Sequence, residues 1–102
     1  MSIKKQYLKS KPECKVTFLI PKELGKGAQT ASIVADFADW DKDAIPMKKL
    51  KTGEFKVVKN LKAGGEYQFR YLIDGKNWEN DPEADKYVPN NYTFEDNSVV
   101  IV

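Results

Sequence analysis

From Tyr67 to Asp74 the chain alternates strictly. Tyr67, Phe69, Tyr71 and Ile73 fall on one side and Gln68, Arg70, Leu72 and Asp74 on the other, which is the period of a β-strand. Asp74-Gly75 follows as a hairpin turn, because Gly75 tolerates a positive φ and the Asp74 side chain closes a local turn. This reading sets Trp78 at the rim of a sheet. Cys14, Val16, Phe18 and Ile20 alternate in the same way until Pro21, which has no N–H to give to a ladder. Lys22 to Gln29 holds Gly25 and Gly27 among charges and reads as a loop. Ala31, Ile33 and Ala35 alternate with Ser32, Val34 and Asp36, and that strand breaks at Phe37-Ala38-Asp39-Trp40. Asp41 to Pro46 is a polar turn, Met47 to Leu50 a short strand, and Thr52-Gly53 a turn into Glu54 to Asn60. There Phe55 and Val57 oppose Lys56 and Val58. Ile3 to Ser10 is a basic arm, either an edge strand or a loose segment. Asp81 to Asp96, with Pro82 and Pro89, reads as one long polar connection before the closing strand, Val99 to Val102.

Short strands, turn signals about every ten residues and no helical period predict an all-β fold, an antiparallel β-sandwich. With 102 residues and no repeat or linker, the expectation is a single domain over 1–102, in which 1–12 is the loose or edge-strand arm. Seventeen basic and 15 acidic residues leave a net charge of only +2, interleaved along the sequence, so a nucleic-acid partner is not indicated. Lys4, Lys5, Lys9, Lys11 and Lys15 crowd the start, where the bland reading is a solvated edge strand guarded by lysines instead of a phosphate-binding arm. The single cysteine, Cys14, alternates with core residues and reads as a buried thiol. Met1 to Ser10 lacks an apolar stretch and no run of roughly 18 apolar residues occurs, so no membrane association and a cytoplasmic location are expected. The tripeptide Asn91-Tyr92-Thr93 then matches a glycosylation acceptor by chance. The start at Met1 and the closing strand favour a complete short protein.

The chain has no histidine, which removes Ser-His-Asp and Cys-His nucleophile pairs and imidazole ligands for zinc, while one cysteine makes no thiolate site. Asp39, Asp41 and Asp43 start like a calcium loop, but Ala44 stands where that loop needs glycine and Leu50 where it needs glutamate. No metal, cofactor or catalytic residue is expected. A glycosidase carboxylate pair needs a cleft that a sandwich of this size does not offer. The remaining candidates are aromatic. Trp40 and Trp78 both follow strands and both have polar neighbours: Asp39, Asp41 and Lys42 beside one, Asn77, Glu79 and Asn80 beside the other. Sugars offer apolar C–H faces and hydroxyl rims, so their sites combine flat aromatics with amides, carboxylates or guanidinium groups. Trp40, Trp78, Arg70, Asn97 and the asparagines at 77, 90 and 91 supply those types. The competing reading is that each indole only covers an open end of the sandwich.

The blocks Phe37-Ala38-Asp39-Trp40, Phe55, Tyr67-Gln68-Phe69-Arg70-Tyr71-Leu72-Ile73-Asp74-Gly75, Trp78, Asp81-Pro82 and Asn97-Ser98-Val99-Val100 resemble, in that order, carbohydrate-binding module family 48. This is the glycogen-binding domain of the β subunit of AMP-activated protein kinase, also the N-terminal domain of isoamylases and branching enzymes. The resemblance covers about Val16 to Val102 and implies an immunoglobulin-like β-sandwich without catalytic activity that binds an α-1,4-glucan, a glycogen- or starch-like oligo- or polysaccharide. It implies that Trp40 and Trp78 stack on glucose rings, that Arg70 takes the place of a hydroxyl-binding lysine, and that Asn97 matches a hydroxyl-binding asparagine. The substitution of arginine for lysine changes the donor geometry. An extra residue lies between Gly75 and Trp78, and Asp85 to Asp96 does not align cleanly, leaving Tyr92 and Phe94 as equal candidates for an apolar plug beside the sugar. Two further readings stand beside this one: a module that docks a partner glucan-metabolising enzyme or kinase subunit, and a glucan-active enzyme.

Overall fold

The computed structural model describes residues 3–25, 27–89 and 96–102. Among the described residues ten strands form two antiparallel sheets, with one four-residue helix and one 3-10 turn. The first sheet runs β1 (Ile3–Tyr7), β2 (Glu13–Ile20), β6 (Phe55–Lys62), β5 (Lys48–Lys49). The second runs β4 (Ile45–Pro46), β3 (Ala31–Ala35), β7 (Glu66–Ile73), β10 (Asp96–Ile101), β9 (Lys86–Pro89), and β8 (Asn77–Glu79) pairs beside β7. The fold is the antiparallel β-sandwich that the alternation predicts, immunoglobulin-like as the family resemblance implies. Among the described residues no helix is long and apolar enough to cross a membrane.

The inner faces meet as the period-2 patterns require. Val16, Phe18 and Ile20 of β2 and Phe55 and Leu61 of β6 pack against Ile33 and Ala35 of β3, and Phe69, Tyr71 and Ile73 of β7. Phe18 meets Phe69 edge-on with centroids 5.0 Å apart, and Phe69 meets Tyr71 at 5.5 Å. These are favourable quadrupolar arrangements. Cys14 is fully buried among them. The arm at the start is an edge strand over Ile3–Tyr7, antiparallel to β2, and Lys5 Nζ binds Asp85 Oδ2 at 2.7 Å. The Asp85 carboxylate also accepts the Ile101 N–H at 2.7 Å. It therefore ties β1 and the segment before β9 to the last strand.

Three details differ from the sequence reading. Lys22–Gly25 is a helical turn, its first carbonyl supplied by Pro21, which accepts the N–H groups of Leu24 and Gly25. Four residues are too few to show a 3.6 period. The segment read as one polar connection contains β9, which pairs with β10 from Asp96↔Pro89 to Val99↔Lys86. Pro89 is accommodated because β9 lies at the sheet edge. The Asp74 side chain does not close its own turn. Its Oδ1 accepts the N–H groups of Gln29 and Thr30 at 2.8 and 3.0 Å, while the Asp74 N–H donates to Thr30 O. Asp74 and Gly75 both have positive φ, 54° and 71°, the left-handed pair that a tight hairpin uses.

The N–H groups of Thr30 and Gln29 hold the Asp74 carboxyl below the ordinary aspartate value of 3.8. A depressed folded-state pKa stabilises the fold above the unfolded value, and that contribution is lost as pH falls through the folded one. Asp74→Asn should therefore lower the urea midpoint near neutrality. The gap from the wild type should narrow as pH drops below about 4, and a gap of constant width would contradict this role.

Candidate functional site

The site grows from β7, which lies inside the larger sheet. Its first half pairs with β10, through Ser98↔Phe69 to Ile101↔Glu66, and its second half with β8, through Tyr71↔Glu79, Leu72↔Trp78 and Ile73↔Asn77. On its other side β3 runs alongside, with Val34↔Arg70 and Ser32↔Leu72 in register. Gln68, Arg70 and Leu72 consequently share the outer face with Trp78.

Trp78 is 38% exposed, whereas Arg70 directly beside it is 5% exposed. The Arg70 guanidinium carbon lies 5.2 Å from the indole centroid. A flat, weakly hydrated cation stacks well on indole, and burial strengthens the attraction. The exposed Lys42 also reaches this ring, its Nζ 5.7 Å from the centroid. Asn97 is 4% exposed, and its Nδ2 donates to Gln68 Oε1 at 3.1 Å. The outer face of β7 thus carries an exposed indole, a nearly buried guanidinium and an amide pair in sequence along neighbouring strands.

Trp40 arrives from the end of β3. Asp36–Ala38 makes one 3-10 turn, Asp39 and Trp40 follow with φ of 55° and 56°, and the Trp40 N–H donates to Ala35 O at 2.8 Å. A left-handed Asp is common, but a bulky residue in that region costs on the order of 1–3 kcal/mol. The turn is moored to β7, because Asp36 Oδ2 accepts the Gln68 N–H at 3.1 Å. Trp40 is left 42% exposed. The structure therefore brings Trp78 and Arg70 into contact and places Asn97 on the adjoining strand. Trp40 makes no ring contact among the described residues, and its link to this group is through the chain alone, since Lys42, two residues further on, stands over the Trp78 ring.

Behind Trp78 lies a buried polar cluster. Asp81 is fully buried; its Oδ2 accepts the Tyr71 O–H at 2.5 Å and its Oδ1 the Glu83 N–H at 2.7 Å. The Asp81 N–H donates to Ser98 Oγ at 2.9 Å, Ser98 donates to Asn80 Oδ1, and the Tyr87 hydroxyl donates to the Asp81 carbonyl. Burial, and then the Asp81 carboxylate, push the Tyr71 hydroxyl far above its ordinary value. It remains a donor across the accessible pH range. This cluster fixes the chain three residues after Trp78.

Sequence reasoning treated Lys42 as a polar neighbour of Trp40 and Asp81 as the start of a polar connection. The Asp-Pro pair and the position of Lys42 beside an aromatic were the available signals. Tyr92 and Phe94, with Asn90 and Asn91, lie outside the described residues. Among the described residues no group of three or more His, Cys, Asp or Glu side chains is placed to hold a metal ion.

An exposed, cation-backed indole on a sandwich face is an arrangement suited to sugar rings. The description of carbohydrate-binding module 48, the isoamylase N-terminal domain, matches residues 21–91. The chain belongs to this family. The matched region contains Trp40, Arg70 and Trp78 and stops before Asn97. A comparison with curated proteins finds no match. At the level the family sets, this chain of the carbohydrate-binding module 48 family is a carbohydrate-binding module.

Proposed function

We propose that this family member is a non-catalytic α-glucan-binding module, in which glucose rings of a glycogen- or starch-like chain stack on Trp78 and Trp40. The observation that carries the reading is the Trp78 indole, exposed on a surface yet supported by the nearly buried Arg70 guanidinium. Arg70 acts chiefly as the bed of that ring, while its N–H groups and the Asn97–Gln68 amide pair give polar partners near the sugar. The left-handed Trp40 supports the same reading, since a strained backbone holds an exposed indole at that position.

Maltoheptaose titration followed by intrinsic fluorescence and by residue-resolved NMR tests it. Both indole N–H signals should shift, with dissociation constants between micromolar and millimolar. Indoles that do not respond to millimolar maltoheptaose would overturn the proposal. Trp40→Ala should lose retention on a glycogen column while its thermal midpoint stays within about 4 °C of wild type, as for exposed positions generally.

A further inference from the structure

A groove of about 320 Å³ adjoins the Trp78 platform, lined among others by Ser32, Lys42, Asp43, Pro46 and Leu72. That volume is at the lower end of small-ligand clefts, roughly 300–1,000 Å³. We infer that this groove is a further sugar subsite, into which the glucan chain continues beyond Trp78. The inference rests on the α-glucan reading above and adds to it the direction in which the chain runs.

Two observations connect the groove to the platform. Leu72, part of its floor, is the ladder partner of Trp78, and Lys42 both lines the groove and stands over the Trp78 ring. The lining has the chemistry a glucose residue needs. Leu72 and Pro46 offer apolar surface, while a hydroxyl, an ammonium and a carboxylate surround it on Ser32, Lys42 and Asp43. Among the described residues the Lys42 ammonium and the Asp43 carboxylate make no ion pair. The Asp43 N–H donates to Asp41 Oδ1, which shapes the turn and leaves the Asp43 carboxylate for a ligand. Lys42 is shared with the Trp78 platform, whereas Ser32 and Asp43 line only the groove, so the groove contributes fully only when the chain is long enough to enter it.

The test compares maltotetraose with maltoheptaose. In the wild type maltoheptaose should bind about tenfold or more tightly, and only the longer sugar should shift the amides of Ser32, Leu72 and Gly75. Ser32→Leu, which fills the groove, should bring the affinity ratio of the two sugars close to one. If Ser32→Leu does not fold, Lys42→Ala, altered at an exposed side chain, should lower the same ratio. Trp78→Ala should weaken both sugars. Maltoheptaose shifts confined to the Trp40, Trp78 and Asn97 surroundings, with an unchanged ratio in the variants, would overturn the groove and leave the platform standing. No shift anywhere with either sugar would overturn platform and groove together.

Discussion

Trp78→Ala is expected to weaken maltoheptaose binding by roughly 30- to 150-fold, which in practice abolishes retention on glycogen. If the indole buries about 100 Å² against a glucose ring, ~25 cal/mol per Å² gives on the order of 2–3 kcal/mol, and every 1.4 kcal/mol is tenfold in affinity. The loss includes more than apolar area, because Arg70 and Lys42 both face this ring and lose their π partner together. The fold itself should hardly notice. Trp78 is 38% exposed at a short edge strand, so its thermal midpoint should move by only a few degrees. Isothermal titration of the refolded variant checks the first figure and calorimetry the second. Binding preserved within threefold of the wild type would remove Trp78 from the site.

Asp81→Ala should have the opposite profile, a large loss of stability first and a loss of binding as its consequence. The substitution leaves the buried Tyr71 O–H and the Glu83 N–H without the carboxylate they donate to. Hydrogen bonds to a charged acceptor contribute about 1.5–3 kcal/mol each, and stranded buried donors add to the cost. A loss of about 3–4 kcal/mol follows, which for a domain of this size is a fall in Tm of roughly 15–25 °C. Tyr71→Phe should cost about half as much, and the double variant less than the sum, since Phe leaves no donor stranded against Ala. Additive losses in this cycle, or an Asp81→Ala chain within 1 kcal/mol of wild type, would show that the cluster does not hold the segment after Trp78.

The alternation in β2, β3, β6 and β7 was legible because an inner face built from Phe18, Ile33, Phe55 and Phe69 needs no information beyond its own period. Trp40 and Trp78 stood out because indoles with charged and amide neighbours contradict a core position, and their exposure follows from that contrast. Arg70 was legible as an outer-face residue but not as a buried one. A period assigns a face and says nothing about what folds over it, and here the β8 hairpin brings Trp78 over the guanidinium. Asp81 was hidden for a similar reason: its partners Tyr71 and Ser98 are 10 and 17 residues away, while the adjacent proline and the polar residues after it make it read as the start of a connection. The β9 strand escaped notice because Lys86 and Pro89 carry no core signal. It forms because β10 offers it an edge.

Among the described strands β7 has the most ladder partners, β3, β8 and β10, and it also holds the Asp36 carboxylate through the Gln68 N–H. Both tryptophan-bearing segments are moored to it. Amides of Phe69 to Ile73 should therefore exchange with deuterium only when the whole sandwich opens, not through local fraying. A bound saccharide then slows their exchange by the factor 1 + [L]/Kd, so these amides, bonded within the sheet, become a gauge of occupancy on the surface above them.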